Sequence, residues 1–73
     1  MFSKELTRRR EDAGLTMRDM AKLSNGVLTA SSLCNYENGR YLHDMSCRRI
    51  IAIATILKWD PLKIIEEVQE EDG

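Results

Sequence analysis

Two cysteines and one histidine are the side chains of this sequence with the widest range of chemistry. Cys34 and Cys47 lie on either side of His43, and all three are residue types that bind metal ions. A structural zinc site takes four such ligands, and His43 does not complete a convincing set. His43 also lacks the partnered acid and nucleophile of a catalytic base. We therefore expect no metal, no cofactor and no catalytic residue, while a redox pair of cysteines stays open.

Positive charge is the second chemical feature, and it is unevenly distributed. Residues 1–65 contain all eleven Lys and Arg with seven acids, whereas residues 66–73 contain five acids and no base. The net charge of −1 therefore comes from the C-terminal end. Bases in the first forty positions are placed where phosphate contacts would be wanted, although such clusters are also common on solvated helix faces. These bases are Lys4, Arg8, Arg9, Arg10, Arg18, Lys22 and Arg40.

The length and composition limit the class of protein. A chain of 73 residues allows one domain and little room for a deep substrate pocket, which argues against an elaborate enzyme. With 42% hydrophobic and 32% charged residues, it has the composition of a globular domain. No apolar run reaches the roughly 18 residues of a membrane span, and MFSKELTRRR is too polar for a signal peptide. We expect a cytoplasmic protein with reduced cysteines.

Boundary signals predict three helices in the first forty residues. The first extends from about Ser3, a candidate cap, to Ala13, and Gly14 stops it. The second begins after Thr16, with an apolar stripe of Met17, Met20, Ala21 and Leu23. The third begins at Thr29 and ends at Asn38-Gly39.

Two further helices complete the predicted all-α organisation. Asp44 is a candidate cap for a fourth helix that ends near Lys58, and its IIAIATIL run has apolar residues at helical spacing. Asp60-Pro61 is typical of a helix start, and it opens a fifth helix. The apolar positions of these helices are Ile50, Ile53, Ala54 and Leu57 in the fourth, and Leu62, Ile65 and Val68 in the fifth. We expect the EEVQEEDG end to be acidic and frayed.

The segments LTRRREDAGLTMRDMAKLSNGVLTASSLCNYENGRYLHD and IAIATILKWDPLKII together resemble the Cro/repressor-type helix-turn-helix family, also called the Xre family. The resemblance covers about Phe2 to Ile65. It implies a compact five-helix bundle of the phage-repressor DNA-binding type with a central helix-turn-helix. On this reading residues 1–68 are the DNA-binding domain and residues 69–73 are an acidic tail.

The resemblance also implies roles for individual residues. In the family the third helix enters the major groove. The implied base-reading residues are Thr29, Ala30, Ser31, Ser32 and Asn35. The implied phosphate-binding residues are Thr16, Met17, Arg18, Asn38 and Arg40. Arg10 and Glu37 correspond to a structural ion pair, and Trp59 to an apolar core residue.

Two features depart from the family pattern. The KLSNGVLT connection is about two residues longer than the usual turn, and we expect Asn25-Gly26 to accommodate the excess. Cys34 stands where the family has a small residue, and we expect its side chain to face partly inward.

The implied function is that of a sequence-specific transcriptional regulator, not an enzyme. Its partner would be double-stranded DNA, bound by a homodimer at a palindromic operator. Ile64, Ile65 and Val68 are the candidate dimer surface, with burial in the chain's own core as the open alternative. A second function stays open: a protein-interaction module, such as an antitoxin-like partner protein, that uses the same fold and its acidic tail.

Overall fold

Five α-helices joined by short turns make up residues 1–72, the part of the chain that the computed structural model describes. They are α1 (Phe2–Asp12), α2 (Met17–Leu23), α3 (Ala30–Glu37), α4 (Cys47–Leu57) and α5 (Pro61–Asp72), with a short 3-10 helix at Leu42–Asp44. No strand occurs in this range, so the predicted all-helical class is confirmed. None of the helices in it has both the length and the apolar character needed to cross a bilayer.

Helices α2, α3 and α5 begin at the side-chain caps that the sequence predicts. Thr16 and Asp19 form a reciprocal capping box, in which Thr16 Oγ1 accepts from the Asp19 N–H at 3.0 Å and Asp19 accepts from the Thr16 N–H at 2.9 Å. Thr29 Oγ1 caps α3 by accepting from the Ser32 N–H, without a reciprocal bond, and Asp60 Oδ1 accepts from the N–H two residues later. Each cap satisfies backbone donors that a helix start leaves unpaired.

The starts of α1 and α4 differ from the prediction. Ser3 lies inside the first turn of α1, where its polar atoms contact α5 instead of capping the helix. Asp44 belongs to the 3-10 helix, and Ser46 is the cap of α4. The physical reason at α4 is burial: Leu42 and Met45 are both buried, so the chain turns inward before the helix begins.

The long turn after α2 is a defined C-terminal cap. The Gly26 N–H donates to the Ala21 carbonyl at 3.2 Å, with Asn25 and Gly26 in left-handed conformations at φ 55° and 85°. Asn and Gly are the residues that adopt this conformation most readily, so Asn25-Gly26 accommodates the longer connection. Ser24 Oγ then accepts from the N–H of Leu28, which is fully buried.

One hydrophobic core joins all the elements. Phe2 and Trp59 stack in it with ring centroids 5.5 Å apart, so Trp59 has the expected packing role. Its buried apolar members are Phe2, Leu6, Met20, Leu28, Leu33, Tyr36, Leu42, Met45, Ile53, Ala54, Leu57, Trp59, Ile64 and Val68.

The buried face of α5 matches the predicted one only at Val68. Ile64 and Val68 are buried, whereas Leu62 is 68% exposed and Ile65 is 37% exposed. Ile64 and Val68 are four residues apart and therefore share one side of the helix, while Leu62 and Ile65 lie on the neighbouring side. Leu23, at the end of the short α2, is likewise exposed instead of joining the apolar stripe.

The acidic end is helical as far as Asp72, contrary to the expectation of a frayed segment. Val68 is buried against the core, and Glu71 accepts two hydrogen bonds from Ser3 in α1. These contacts hold the last turn of α5 on the domain. Gly73, the last residue of the predicted tail, lies outside the described residues.

Candidate nucleic-acid interface

A partly buried ion pair connects α1 to the end of α3. Arg10 Nε donates to Glu37 Oε2 at 2.7 Å and Arg10 Nη2 donates to Glu37 Oε1 at 3.2 Å, so the pair is bidentate. The remaining guanidinium nitrogen donates to the Leu15 carbonyl, and Thr7 Oγ1 donates to Glu37 Oε1. The hydrogen bond to Glu37 raises the pKa of Arg10 above its ordinary value. This network fixes α3 relative to α1.

A second connection, between α4 and α3, could not be read from the sequence. Arg49 Nη1 donates to the hydroxyl of Tyr36 at 2.7 Å, and Arg49 Nε donates to the Val27 carbonyl at 3.3 Å. Arg49 therefore holds both the body of α3 and the turn before it. An arginine early in a helix is usually a solvated residue, so no local pattern signals this role.

The exposed face of α3 carries small polar side chains. Ser31 is exposed and Asn35 is half-buried, and within residues 1–72 neither side chain makes a hydrogen bond. Thr29 and Ser32 are already engaged with each other, because Thr29 Oγ1 donates to Ser32 Oγ at 2.9 Å and accepts from the Ser32 N–H. Ala30 is half-buried. Of the five implied base-reading residues, Ser31 and Asn35 are thus the two whose polar side-chain groups make no hydrogen bond within residues 1–72.

Cys34 lies on this same exposed face, which corrects the expectation that it faces inward. It is three residues after Ser31 and four before Asn38, the spacings that place residues on one side of a helix. Asn38 Nδ2 donates to the Cys34 carbonyl at 2.8 Å. Helical spacing counted from Ser31 could have identified Cys34 as a member of the face. Cys47, at the start of α4, is also an exposed thiol.

Two groups of implied phosphate-binding residues lie at the start of α2 and at the end of α3. At α2, Arg18 is exposed, Met17 packs partly on the core, and Thr16 is engaged in the capping box. The hydrogen bond from the Thr16 N–H lowers the pKa of Asp19, which keeps this capping carboxylate charged. After α3, Asn38 and Arg40 are both exposed.

The arginines near the N-terminus divide into two sets. Arg8 and Arg9 pair with Glu5, and Arg9 also lies over the ring of Trp59 at 4.6 Å. With Arg10 bound to Glu37, the whole RRR run is engaged in contacts within the domain. Within residues 1–72, by contrast, no carboxylate forms a salt bridge with any of three exposed arginines. These are Arg18, Arg40 and Arg48.

These residues together define a five-helix, all-α domain in which α3 is held by two networks and displays a small polar face between accessible cations. Comparisons of the chain with protein-family models, with curated proteins and with solved structures gave no match.

Proposed function

We propose that the protein is a sequence-specific DNA-binding transcriptional regulator of the helix-turn-helix type. The observation that carries the proposal is that one face of α3 is held by the domain and the other is open to solvent. Two partly buried side-chain networks hold its inner face. On its outer face, Ser31 and Cys34 are exposed and Asn35 is half-buried, and all three side chains are small. A rigid helix with short polar groups is what readout of base edges in the major groove requires.

Base readout would come from the outer face of α3. The Ser31 hydroxyl can donate to or accept from several bases, and the Asn35 amide can bind adenine through two hydrogen bonds. The Ala30 methyl can contact a thymine methyl, while Thr29 and Ser32 add hydroxyl oxygens at the helix start. Arginine is absent from these positions, so the strong contact with guanine is missing. Water-mediated contacts and DNA shape would then supply part of the specificity.

Phosphate contacts would hold the domain on the DNA backbone. Arg18 at the start of α2 and Arg40 after α3 are exposed and free of salt bridges within the described residues, so neither has to break an internal ion pair. The backbone of Thr16 and Met17 adds the positive end of α2, and Asn38 adds an amide donor. Such contacts set the orientation of α3 without selecting a sequence.

Homodimer formation on a palindromic operator belongs to the same proposal. Among the three candidate dimer residues, Ile64 and Val68 are buried and only Ile65 is exposed. Leu62 lies three residues before Ile65 on the same side of α5 and is 68% exposed, so Leu62 and Ile65 give a revised candidate surface. Exposed apolar groups of this kind are typical of interaction surfaces.

A protein-interaction module is the second candidate function, and one feature favours it. A groove of about 350 Å³ lies between the 3-10 helix, α4 and α5. It has a mainly apolar lining of Leu42, Met45, Ile50, Ile65 and Val68. The acidic last turn of α5 borders it through Asp72. A protein partner could dock there with no contribution from α3.

Selection of genomic fragments followed by footprinting tests the proposed function. We expect protection of a short inverted repeat whose half-sites are about 10 bp apart, one turn of DNA. The affinity should fall steeply with salt, because the exposed arginines displace counterions. An absence of salt-dependent DNA binding would instead favour the interaction module. Symmetry of the footprint reports the dimer in the same experiment.

Substitutions of base-reading residues should change sequence preference, whereas substitutions of phosphate-binding residues should change overall affinity. Ser31→Ala or Asn35→Ala should change the preferred base, with a loss of roughly 1–3 kcal/mol of discrimination at the position that each residue contacts. Arg18→Ala should weaken binding to all sequences and reduce the salt slope by about one. Binding to a panel of single-base operator variants measures both effects.

Thr55→Ala is the matched control for these variants, since Thr55 is exposed on α4 and outside the proposed interface. It should leave affinity and preference unchanged. If Arg18→Ala altered the preference while Asn35→Ala had no effect, α3 would not be the recognition helix.

A further inference from the structure

The last turn of α5 touches the segment that carries Asn38 and Arg40. We propose that Glu71, in that turn, is a positioning residue for the DNA-backbone contact made by this segment, an inference that rests on the proposed function. Glu71 acts through the protein backbone and does not itself contact DNA. The acidic end of the chain is then part of the binding machinery and not an appendage.

Two donors from α1 fix the Glu71 carboxylate. The Ser3 N–H donates to Oε1 at 2.9 Å, and Ser3 Oγ donates to Oε2 at 2.7 Å. The Ser3 N–H is a first-turn donor with no partner inside its own helix, so the carboxylate completes the start of α1 from the far end of the sequence. Hydrogen bonds to an ionised acceptor are among the stronger ones, and Ser3 is only 5% exposed. The carboxylate therefore has a fixed position.

Glu71 lies directly against Gly39, the residue between Asn38 and Arg40. A Cβ atom on Gly39 would be 2.8 Å from Glu71 Oε2, closer than such contacts permit. Gly39 has φ +73° and ends α3, with the Arg40 N–H donating to the Asn35 carbonyl at 2.8 Å. The carboxylate thus packs directly against the turn at Gly39, and the conformation of this turn sets the directions of Asn38 and Arg40.

A second contact lies on the other side of Arg40. Asp72 Oδ1 is 3.6 Å from His43 Nδ1, and the 3-10 helix packs on α5. Consecutive residues at the end of α5 therefore contact the segment both before and after Arg40. Such an arrangement restricts the segment at two points and leaves the Arg40 side chain exposed.

The electrostatic effect of these acids opposes their positioning effect. A carboxylate near a phosphate contact repels DNA, so if charge were its only effect, removing Glu71 would tighten binding. If Glu71 positions the turn, removing its side chain loosens Arg40 and weakens binding. The two effects have opposite signs, which makes the inference testable with a pair of variants.

The test compares Glu71→Ala with Glu71→Gln in the full chain, on the operator found by footprinting and at a temperature where circular dichroism shows each variant fully folded. Glu71→Gln removes the charge but keeps an amide that can hydrogen-bond with Ser3. We expect Glu71→Ala to lower affinity by roughly three- to tenfold and to reduce the salt slope by about one, the loss of one phosphate contact. Glu71→Gln should bind like the unaltered protein or more tightly.

An NMR readout that needs no DNA accompanies the binding data. The Gly39 and Arg40 amide resonances should shift and broaden in Glu71→Ala but stay near their original positions in Glu71→Gln. Equal tightening by both variants would overturn the inference in favour of a pure charge effect. Unchanged affinity and slope in both folded variants would overturn it in favour of a role in stability alone. If the unaltered protein shows no salt-dependent binding, the proposed function fails together with the inference, whereas the two preceding outcomes reject the positioning role alone.

Discussion

Arg10→Ala should destabilise the protein strongly, because it leaves the carboxylate of Glu37 shielded from solvent without its cation. The Glu37 side chain is 6% exposed and the Arg10 side chain is 14% exposed, so water cannot replace the lost partner well. Breaking a fully buried pair in this way costs about 3–5 kcal/mol, which is the upper limit for this partly buried pair. A small domain has only about 5–15 kcal/mol of total stability, and a chain of this size lies toward the lower end.

Urea denaturation followed by circular dichroism measures this loss, and the sequence provides two controls. Arg8→Ala removes an exposed arginine from the same helix and should change stability little, because its ion pairs are solvated. Replacing both partners, as in Arg10→Met with Glu37→Leu, should recover much of the stability by removing both charges together. If Arg10→Ala were no more destabilising than Arg8→Ala, the pair would not be what holds α3 against α1.

Features that depend on neighbours in sequence were predictable. The caps at Thr16, Thr29 and Asp60 each bond a backbone N–H two or three residues away, so residue type and spacing are sufficient to identify them. The IIAIATIL helix could be predicted from the spacing of its apolar residues. The Asn25-Gly26 pair could be predicted as a turn, because Asn and Gly readily adopt the left-handed backbone that both residues have here.

Features that depend on distant residues were not predictable. Ser3 has the residue type of a cap, but the carboxylate that binds it is 68 positions away, so no local pattern could indicate that α5 would reach it. The Arg49 contact with Tyr36 likewise joins residues that are distant in sequence, 13 positions apart. The frayed-end expectation failed for this reason: five acids in eight residues are typical of a solvated tail unless a distant donor fixes one of them.

In the candidate site, too, features set by nearby residues were predictable and features set by distant residues were not. Helical spacing is enough to group Ser31 with Asn35, and it would also have included Cys34, for which the family resemblance implied a side chain facing partly inward. The partners of the arginines were not readable from spacing alone. The RRR run suggested a phosphate-binding cluster, yet its members contact Glu5, Glu37 and Trp59 inside the domain. The positive charge available to DNA is therefore carried by fewer and more separated arginines than the composition suggests.

Phe2→Ala should be at least as damaging as loss of the Arg10–Glu37 ion pair, although it changes the second residue of the chain. The Phe2 ring is fully buried and stacks on Trp59 with an interplanar angle of 18°. Truncating a buried phenylalanine costs about 3–5 kcal/mol, because apolar contact is lost and a cavity remains. In a domain of this size each kcal/mol lowers the melting midpoint by about 4–8 °C.

Thermal melts with Trp59 fluorescence as a second probe test this prediction, since Trp59 is 4% exposed and should gain solvent contact when its stacking partner is removed. Ile51→Ala is the control, because Ile51 is apolar but 59% exposed and its loss should change stability by no more than about 0.5 kcal/mol. A Phe2→Ala melt indistinguishable from that of Ile51→Ala would show that the first turn of α1 is not packed in the core. Because Ser3, which binds Glu71, lies in the same turn, Phe2→Ala should also weaken DNA binding at temperatures where the protein is still folded.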